Sequence, residues 1–252
     1  LQCLAEEITE GNGMAVLKIL GVLFAFMFLY ILFLVVCSLF VDSKKEYEKH
    51  SKFYRVLLNG ATSIAIKIMR IRLRVNGIEK IPPDTKNLLF VSNHRSNFDP
   101  ILTWHILKRW QPAFVSKPSN FKIPIFGRFI RKCCFMAIDR ENPRNAIKTI
   151  QKASEQLKKG EVSIGIYPEG TRSKTCKLLP FHNGVFKIAQ KAEADIVVLA
   201  VSGTEKISKN YPLRHTDVYI DVLEILPAKQ VKETKTDIIG EHIKTEMKNH
   251  LG

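Results

Sequence analysis

The feature that most restricts how this chain folds is an apolar run of 23 residues, Ile19–Val41, with no charged side chain. Only Gly21, Tyr30 and Ser38 interrupt its apolar character. As a helix rising about 1.5 Å per residue, the run would be about 34 Å long, enough to reach across a hydrocarbon core. A cleaved leader would have a shorter apolar region, about 7–15 residues, with a small-residue cleavage site behind it. Here Asp42-Ser43-Lys44-Lys45 follows instead. The expectation is therefore a retained N-terminal hydrophobic membrane-anchoring helix, either spanning the bilayer or entering one leaflet. The flanks differ in charge. Residues 1–18 carry one Lys against Glu6, Glu7 and Glu10, whereas residues 42–80 carry ten Lys and Arg against four acids. The positive-inside rule places everything after Val41 on the cytoplasmic face. Residues 1–18 read as a tail, residues 1–13 show no pattern, and Met14 is a second candidate start.

Residues 50–71 read as a second, amphipathic helix, which makes 19–72 an anchoring region of two helices. Phe53, Val56, Leu57, Ala61, Ile64, Ile68 and Ile71 recur near helical spacing, and Lys52, Arg55, Lys67 and Arg70 supply cations. Two readings stand. The helix lies at a lipid interface with its cations at phosphates, or it packs on a protein core with its charges snorkelling.

From residue 73 to 252 short apolar runs alternate with helical stretches. Strands are expected at Arg72–Val75, Leu88–Val91, Ala113–Ser116, Phe135–Ile138, Val162–Tyr167, Ile196–Val201 and Asp217–Ile225. Helices are expected at Pro100–Arg109, Phe126–Arg131, Arg144–Lys159, Gly184–Ala192 and Thr236–His250. This alternation predicts one α/β domain with a mostly parallel central sheet flanked by helices. In such sheets, ligands gather at the loops after the strand carboxyl ends.

The formal net charge of +15, from 39 Lys and Arg against 24 Asp and Glu, favours an anionic partner. Nucleic acid is disfavoured: no recognition motif is present, and aromatic residues are not interleaved with the basic ones. The five cysteines, Cys3, Cys37, Cys133, Cys134 and Cys176, fit no zinc spacing. They read as free thiols of a reducing compartment. No metal and no cofactor is expected.

Three polar segments sit where apolar strands end. In the first, Leu88–Val91 runs into Asn93 and His94, and Asp99-Pro100 follows. Proline favours the first helical position, so Asp99 occupies a helix N-cap. It is then a cap only, or the turn folds its carboxylate back onto one imidazole nitrogen of His94. The latter would free the other nitrogen to take a proton from an alcohol. In the second, Val162–Tyr167 ends in Pro168-Glu169-Gly170-Thr171-Arg172-Ser173. Arg172 offers a fork of donors suited to phosphate or carboxylate, and Glu169 either holds that fork or meets a substrate hydroxyl. A surface Glu–Arg pair of little energetic weight is the plain alternative. In the third, five cations and no acid lie between Lys117 and Lys132. This suits a surface meeting acyl chains and phosphates, or a solvated helix face.

Together these segments resemble the 1-acylglycerol-3-phosphate (lysophosphatidate) acyltransferase family over residues 86–201, roughly half the chain. Asn93-His94 to Asp99 matches its His-x-x-x-x-Asp motif. Lys117 through Gly127, ending at Ala137-Ile138-Asp139-Arg140, is similar to its second block. Tyr167 through Ser173 matches its third almost letter for letter. The resemblance implies an O-acyltransferase in phospholipid synthesis, moving a fatty acyl group from acyl-CoA or acyl carrier protein to the 2-hydroxyl of lysophosphatidate. By resemblance, His94 is the base and Asp99 its partner. Lys117, Arg172, Thr171 and Asn93 bind the acceptor, and Glu169 and Gly170 shape that site. The implied partners are the lipid bilayer, the lysophospholipid acceptor and the thioester donor.

Three departures bear on acceptor identity. Pro118-Ser119-Asn120 follows Lys117 where the family often has x-Glu-Leu, Phe181-His182-Asn183-Gly184 stands for Phe-Lys-x-Gly, and Ile196–Val201 has no proline. Acylation of glycerol-3-phosphate or another lysophospholipid is the alternative reaction. A lipid-binding membrane protein without turnover is the alternative from another class.

Overall fold

In the computed structural model, residues 2–252 are described, with side chains described from Met14 on. Cys3, Glu6, Glu7 and Glu10, and with them most of the expected tail, lie outside the described side chains. The chain divides into two units that meet at Asp42 and Ser43. The first is helix α1, Gln2–Leu39. Its stretch from Met14 to Leu39 is long and apolar enough to cross a membrane. Large apolar side chains such as Leu17, Phe24 and Phe28 are exposed along it.

The second unit opens with α2, Lys52–Ile68. The apolar stripe of this helix faces outward: Phe53, Val56 and Ile68 are exposed, while Tyr54, Arg55, Leu58 and Thr62 are buried. The more polar side therefore makes the attachment. Arg55, 6% exposed, donates to the carbonyls of Pro112 (3.0 Å), Gln111 (3.0 Å) and Cys133 (3.3 Å) and lies over the Trp104 ring. Asn59 accepts from the Trp104 indole at 2.7 Å. Of the two readings of this helix, packing on the protein is the one that Arg55 fits, although its guanidinium does not snorkel but satisfies carbonyls beneath the helix. Burial pushes the neighbouring Cys133 and Cys134 thiols up to about 12, so they are inert small hydrophobes. Cys37, Cys133, Cys134 and Cys176 form no disulfide among the described residues. Replacing Arg55 with alanine leaves buried carbonyls unpaired and is expected to cost about 3 kcal/mol, read as a lowered thermal unfolding midpoint.

Seven strands follow: β1 (Ile71–Asn76), β2 (Leu88–Ser92), β3 (Pro112–Ser116), β4 (Met136–Ala137), β5 (Ser163–Ile166), β6 (Asp195–Ser202) and β7 (Thr216–Leu226). They form one mixed sheet in the order β1-β7-β6-β2-β5-β3-β4. Only the β6–β7 pair is antiparallel, so the sheet is mostly parallel. The helices are α3 (Asp99–Ile106), α4 (Phe126–Lys132), α5 (Pro143–Lys158), α6 (Lys187–Ala192), α7 (Ile207–Asn210), α8 (Ala228–Glu233) and α9 (Thr236–Leu251).

The central strands are apolar without interruption because both sheet faces are covered. On one face Leu89, Val91, Ile164, Ile166, Ile196 and Val198 pack with residues of α5, α6 and α9. On the other, Leu88, Phe90, Val197 and Leu199 pack with Leu107 and Trp110. Parallel alignment brings the carboxyl ends of β2, β3, β4, β5 and β6 to one end of the sheet. There β2 delivers His94, β3 Lys117, β4 Arg140 and β5 Glu169.

Candidate active site

The stretch from Ser92 to Asp99 folds as a turn between β2 and α3. Helix α3 begins at Asp99 itself, with Phe98 as its cap residue. The carboxylate does not cap the helix ahead of it and turns back instead. Asp99 Oδ2 accepts from the backbone N–H groups of Arg95 and Ser96, both at 2.6 Å, and lies 2.8 Å from His94 Nδ1. An ionised carboxylate only accepts, so Nδ1 carries the hydrogen and Nε2 the lone pair. Asp99 is fully buried and the His94 side chain is 16% exposed. His94 Nε2 makes no hydrogen bond to the described residues.

The Glu169 turn holds the backbone of this histidine. Glu169 Oε1 accepts from His94 N–H at 2.6 Å, and Oε2 accepts from Leu179 N–H at 2.9 Å. Ser173 N–H donates to the His94 carbonyl at 2.8 Å. Both oxygens of Glu169 are thus engaged, and the residue is buried. It holds neither the Arg172 fork nor an open position toward a hydroxyl, because the turn that follows β5 needs it to join two loops. Burial raises the Glu169 pKa, against the two backbone donors that lower it.

Asn93 also departs from its expected place at the acceptor. Its amide donates to the Val201 carbonyl at 2.9 Å and accepts from the Val201 N–H at 2.7 Å. This locks the end of β2 to β6 and leaves the side chain 1% exposed. Lys117, Thr171 and Arg172 stand exposed, and their side chains make no hydrogen bond or ion pair to the described residues. The structure therefore joins His94, Asp99, Glu169 and Gly170 into one framework and leaves the three others free at its edge.

The ring of Tyr167 stacks on His94 (centroids 4.5 Å apart, planes at 27°) and on Phe114 (6.0 Å, 12°). The Thr103 hydroxyl donates its one hydrogen to the Asp99 carbonyl at 2.7 Å, so Tyr167 donates to Thr103 at 2.8 Å. Burial, and then the charge of Asp99, hold the Tyr167 hydroxyl well above its ordinary pKa, which keeps it a neutral donor.

Beside Tyr167 lies a cavity of about 150 Å³. Val115, Ile138, Ile150 and Ile166 give it apolar walls, while Arg140, Gly170 and His182 complete the lining. Gly170 has φ +69°, and a Cβ there would meet the His182 ring at 3.0 Å. The turn needs glycine for both reasons. Desolvation lowers the pKa of Arg140, which has no acid bonded to it among the described residues.

The acyltransferase family model matches residues 72–202, just over half the chain, and this interval contains the whole framework. The chain belongs to the acyltransferase family. It is 30% identical over 184 residues to a 1-acyl-sn-glycerol-3-phosphate acyltransferase of Chlamydomonas reinhardtii, covering 72% of this chain and 54% of that protein. It is 34% identical over 157 residues to the 1-acyl-sn-glycerol-3-phosphate acyltransferase of Salmonella typhimurium, covering 62% of each. The chain thus spans about half the length of the algal relative. The fold is that of the crystal structure of the 1-acyl-sn-glycerophosphate (LPA) acyltransferase PlsC from Thermotoga maritima. There the TM-score is 0.67 at 24% identity, covering 88% of this chain and 87% of that one.

Several residues around the site have a role in this chain that residue type does not announce. Tyr167 and Ser173 belong to the third block but act through ring stacking and a backbone N–H, neither of which residue type announces. Arg140 closes the second block, which was its one signal. His182 was visible only as a departure from Phe-Lys-x-Gly.

Proposed function

We propose that this chain transfers a fatty acyl group from acyl-CoA or acyl carrier protein to the 2-hydroxyl of lysophosphatidate, making phosphatidate. The observation that carries the proposal is the His94 imidazole, fixed by Asp99 through Nδ1, without a hydrogen-bond partner at Nε2 among the described residues, and stacked on Tyr167, which lines the apolar cavity. His94 Nε2 takes the hydroxyl proton as that oxygen attacks the thioester carbonyl. As the carbon–sulfur bond breaks, the imidazolium returns the proton to the leaving thiolate. Asp99 stabilises the imidazolium between these steps. Backbone N–H groups of the motif turns meet the oxyanion. Lys117, Arg172 and Arg140 supply the charge for the acceptor phosphate, and Glu169 and Gly170 shape the turn that presents it. Residues 19–72 act as the membrane-anchoring region and residues 73–252 as the acyltransferase domain on the cytoplasmic face.

His182, standing where the family often has lysine, favours a second reading, in which another lysophospholipid or glycerol-3-phosphate is the acceptor. The test is to reconstitute the full chain in vesicles and offer labelled acyl-CoA with lysophosphatidate, glycerol-3-phosphate or lysophosphatidylcholine. Lysophosphatidate is expected to be acylated fastest. Faster acylation of another acceptor would establish the second reading. A folded chain that acylates none of the three would be a lipid-binding protein without turnover.

A further inference from the structure

Between Ser43 and Gly252 the most exposed large apolar side chain is Leu213, at 84%. It lies in an unbroken exposed stretch from Tyr211 to His215. From Lys206 to His215 the sequence carries Lys206, Lys209 and Arg214 and no acid. The base of this loop is built rather than loose. Arg70, just beyond α2, donates through Nη1 to the carbonyls of Pro212 (3.1 Å) and Leu213 (3.0 Å). Arg72 Nη1 lies 2.9 Å from His215 Nε2. The acid that opens β7, Asp217, is already paired with His215 at 3.7 Å and Arg74 at 3.9 Å.

Topology fixes where this loop lies. It leaves the carboxyl end of β6 through α7 and enters β7, which runs antiparallel to β6. The loop, the start of β1 and the last turn of α2 therefore gather at the sheet end that carries His94 and Glu169. The outward apolar face of α2 (Phe53, Val56, Ile68) leads directly to Arg70.

We propose that Tyr211–Arg214 is a second lipid-contacting element, which seats Leu213 and Tyr211 in the interfacial layer of an anionic bilayer. An exposed leucine gains by leaving water. A tyrosine with one wet end suits the headgroup level. Lys209, Arg214, Arg70 and Arg72 match the negative surface potential, each cation being worth roughly fivefold in binding. A bilayer is the occupant because the cationic rim complements it, the loop continues the apolar face of α2, and the chain enters from a helix of bilayer length. Seated this way, the loop holds the His94 end of the sheet at the lipid surface, where an acceptor lipid lies.

The test uses the full chain in phosphatidylcholine vesicles with and without phosphatidylglycerol, in Leu213→Trp and Ile238→Trp variants. Ile238 is an exposed control that shares a cavity with Leu226, at the far end of β7. The native Trp104 and Trp110 are buried and give a common background. Tryptophan at 213 is expected to shift to shorter emission wavelength and to be quenched by lipids brominated on their acyl chains. Tryptophan at 238 is expected to do neither. Adding K209E and R214E is expected to reduce that quenching in phosphatidylglycerol vesicles. If tryptophan at 213 stays unshifted and unquenched, or both positions are quenched alike, the proposal is overturned. A loop that docks on a protein instead would give the unquenched result. The readout does not depend on turnover, so its failure would leave the proposed reaction standing.

Discussion

Replacing His94 with alanine is expected to lower acyl transfer by about 10²–10⁴, the usual worth of a positioned general base. Thermal unfolding should shift little, because what holds this residue in place is its backbone. The N–H is bonded to Glu169 and the carbonyl to Ser173, and alanine keeps both. The lost ring is partly exposed and stacks on Tyr167, so its removal opens no sealed core cavity. A rate within a few-fold of wild type in a folded protein would remove His94 from the chemistry. Asp99→Asn should behave differently and lower both rate and stability. Asp99 Oδ2 receives three donors in a fully buried setting, and an amide brings no charge to the imidazolium.

The second large effect is at Glu169. Alanine there orphans two part-buried backbone donors, at about 1–3 kcal/mol each. That is a large share of a typical stability of about 5–15 kcal/mol. Glutamine is not a neutral substitute, since its carbonyl accepts one N–H while its NH₂ group faces the other. Glu169→Gln is therefore expected to unfold at lower temperature than wild type. It should also lose activity more than about tenfold, since the turn carrying His94 loses one of its two ties. The pH dependence has a definite sign. A carboxyl whose pKa is raised by folding binds its proton more readily folded than unfolded. Its contribution is complete below the ordinary glutamate value of 4.5 and is lost as pH rises through the raised native value. Glutamine lacks this titration. The stability gap between wild type and Glu169→Gln should therefore narrow as pH rises across that window, which chemical denaturation at several pH values would measure.

Strands β2, β3, β5 and β6 were legible because each is a short apolar run closed by polar residues, a pattern forced by burial on both faces, whereas β1 and β7 were legible by their alternation. The direction of β7 was not: it alternates buried Val218, Ile220 and Val222 with less buried residues, and β1 alternates in the same way although it pairs parallel to β7 while β6 pairs antiparallel. The turn-back of Asp99 onto His94 lies within five residues and could be weighed from spacing, although Asp99 starts α3 rather than capping it. The partners of Glu169 and Asn93 escaped the sequence for a common reason. They are backbone groups 75 and 108 positions away in the chain, and backbone leaves no mark in residue type. Arg55 shows the same limit. A cation on an amphipathic helix reads as a surface group until the carbonyls of Gln111, Pro112 and Cys133 are brought beneath it. For α2, periodicity identified the apolar stripe but not the solvent it meets.

In the proposed mechanism His94 acts on the acceptor hydroxyl directly, with no acyl group passing through the protein. Rapid-quench measurement of free CoA, on mixing the reconstituted chain with labelled acyl-CoA, tests it most directly. Without lysophosphatidate no rapid release should occur and no label should remain on the protein. With lysophosphatidate, free CoA and phosphatidate should form together at equal rates. A burst of CoA equal to the amount of protein in the absence of acceptor, with label bound to the chain, would contradict the account.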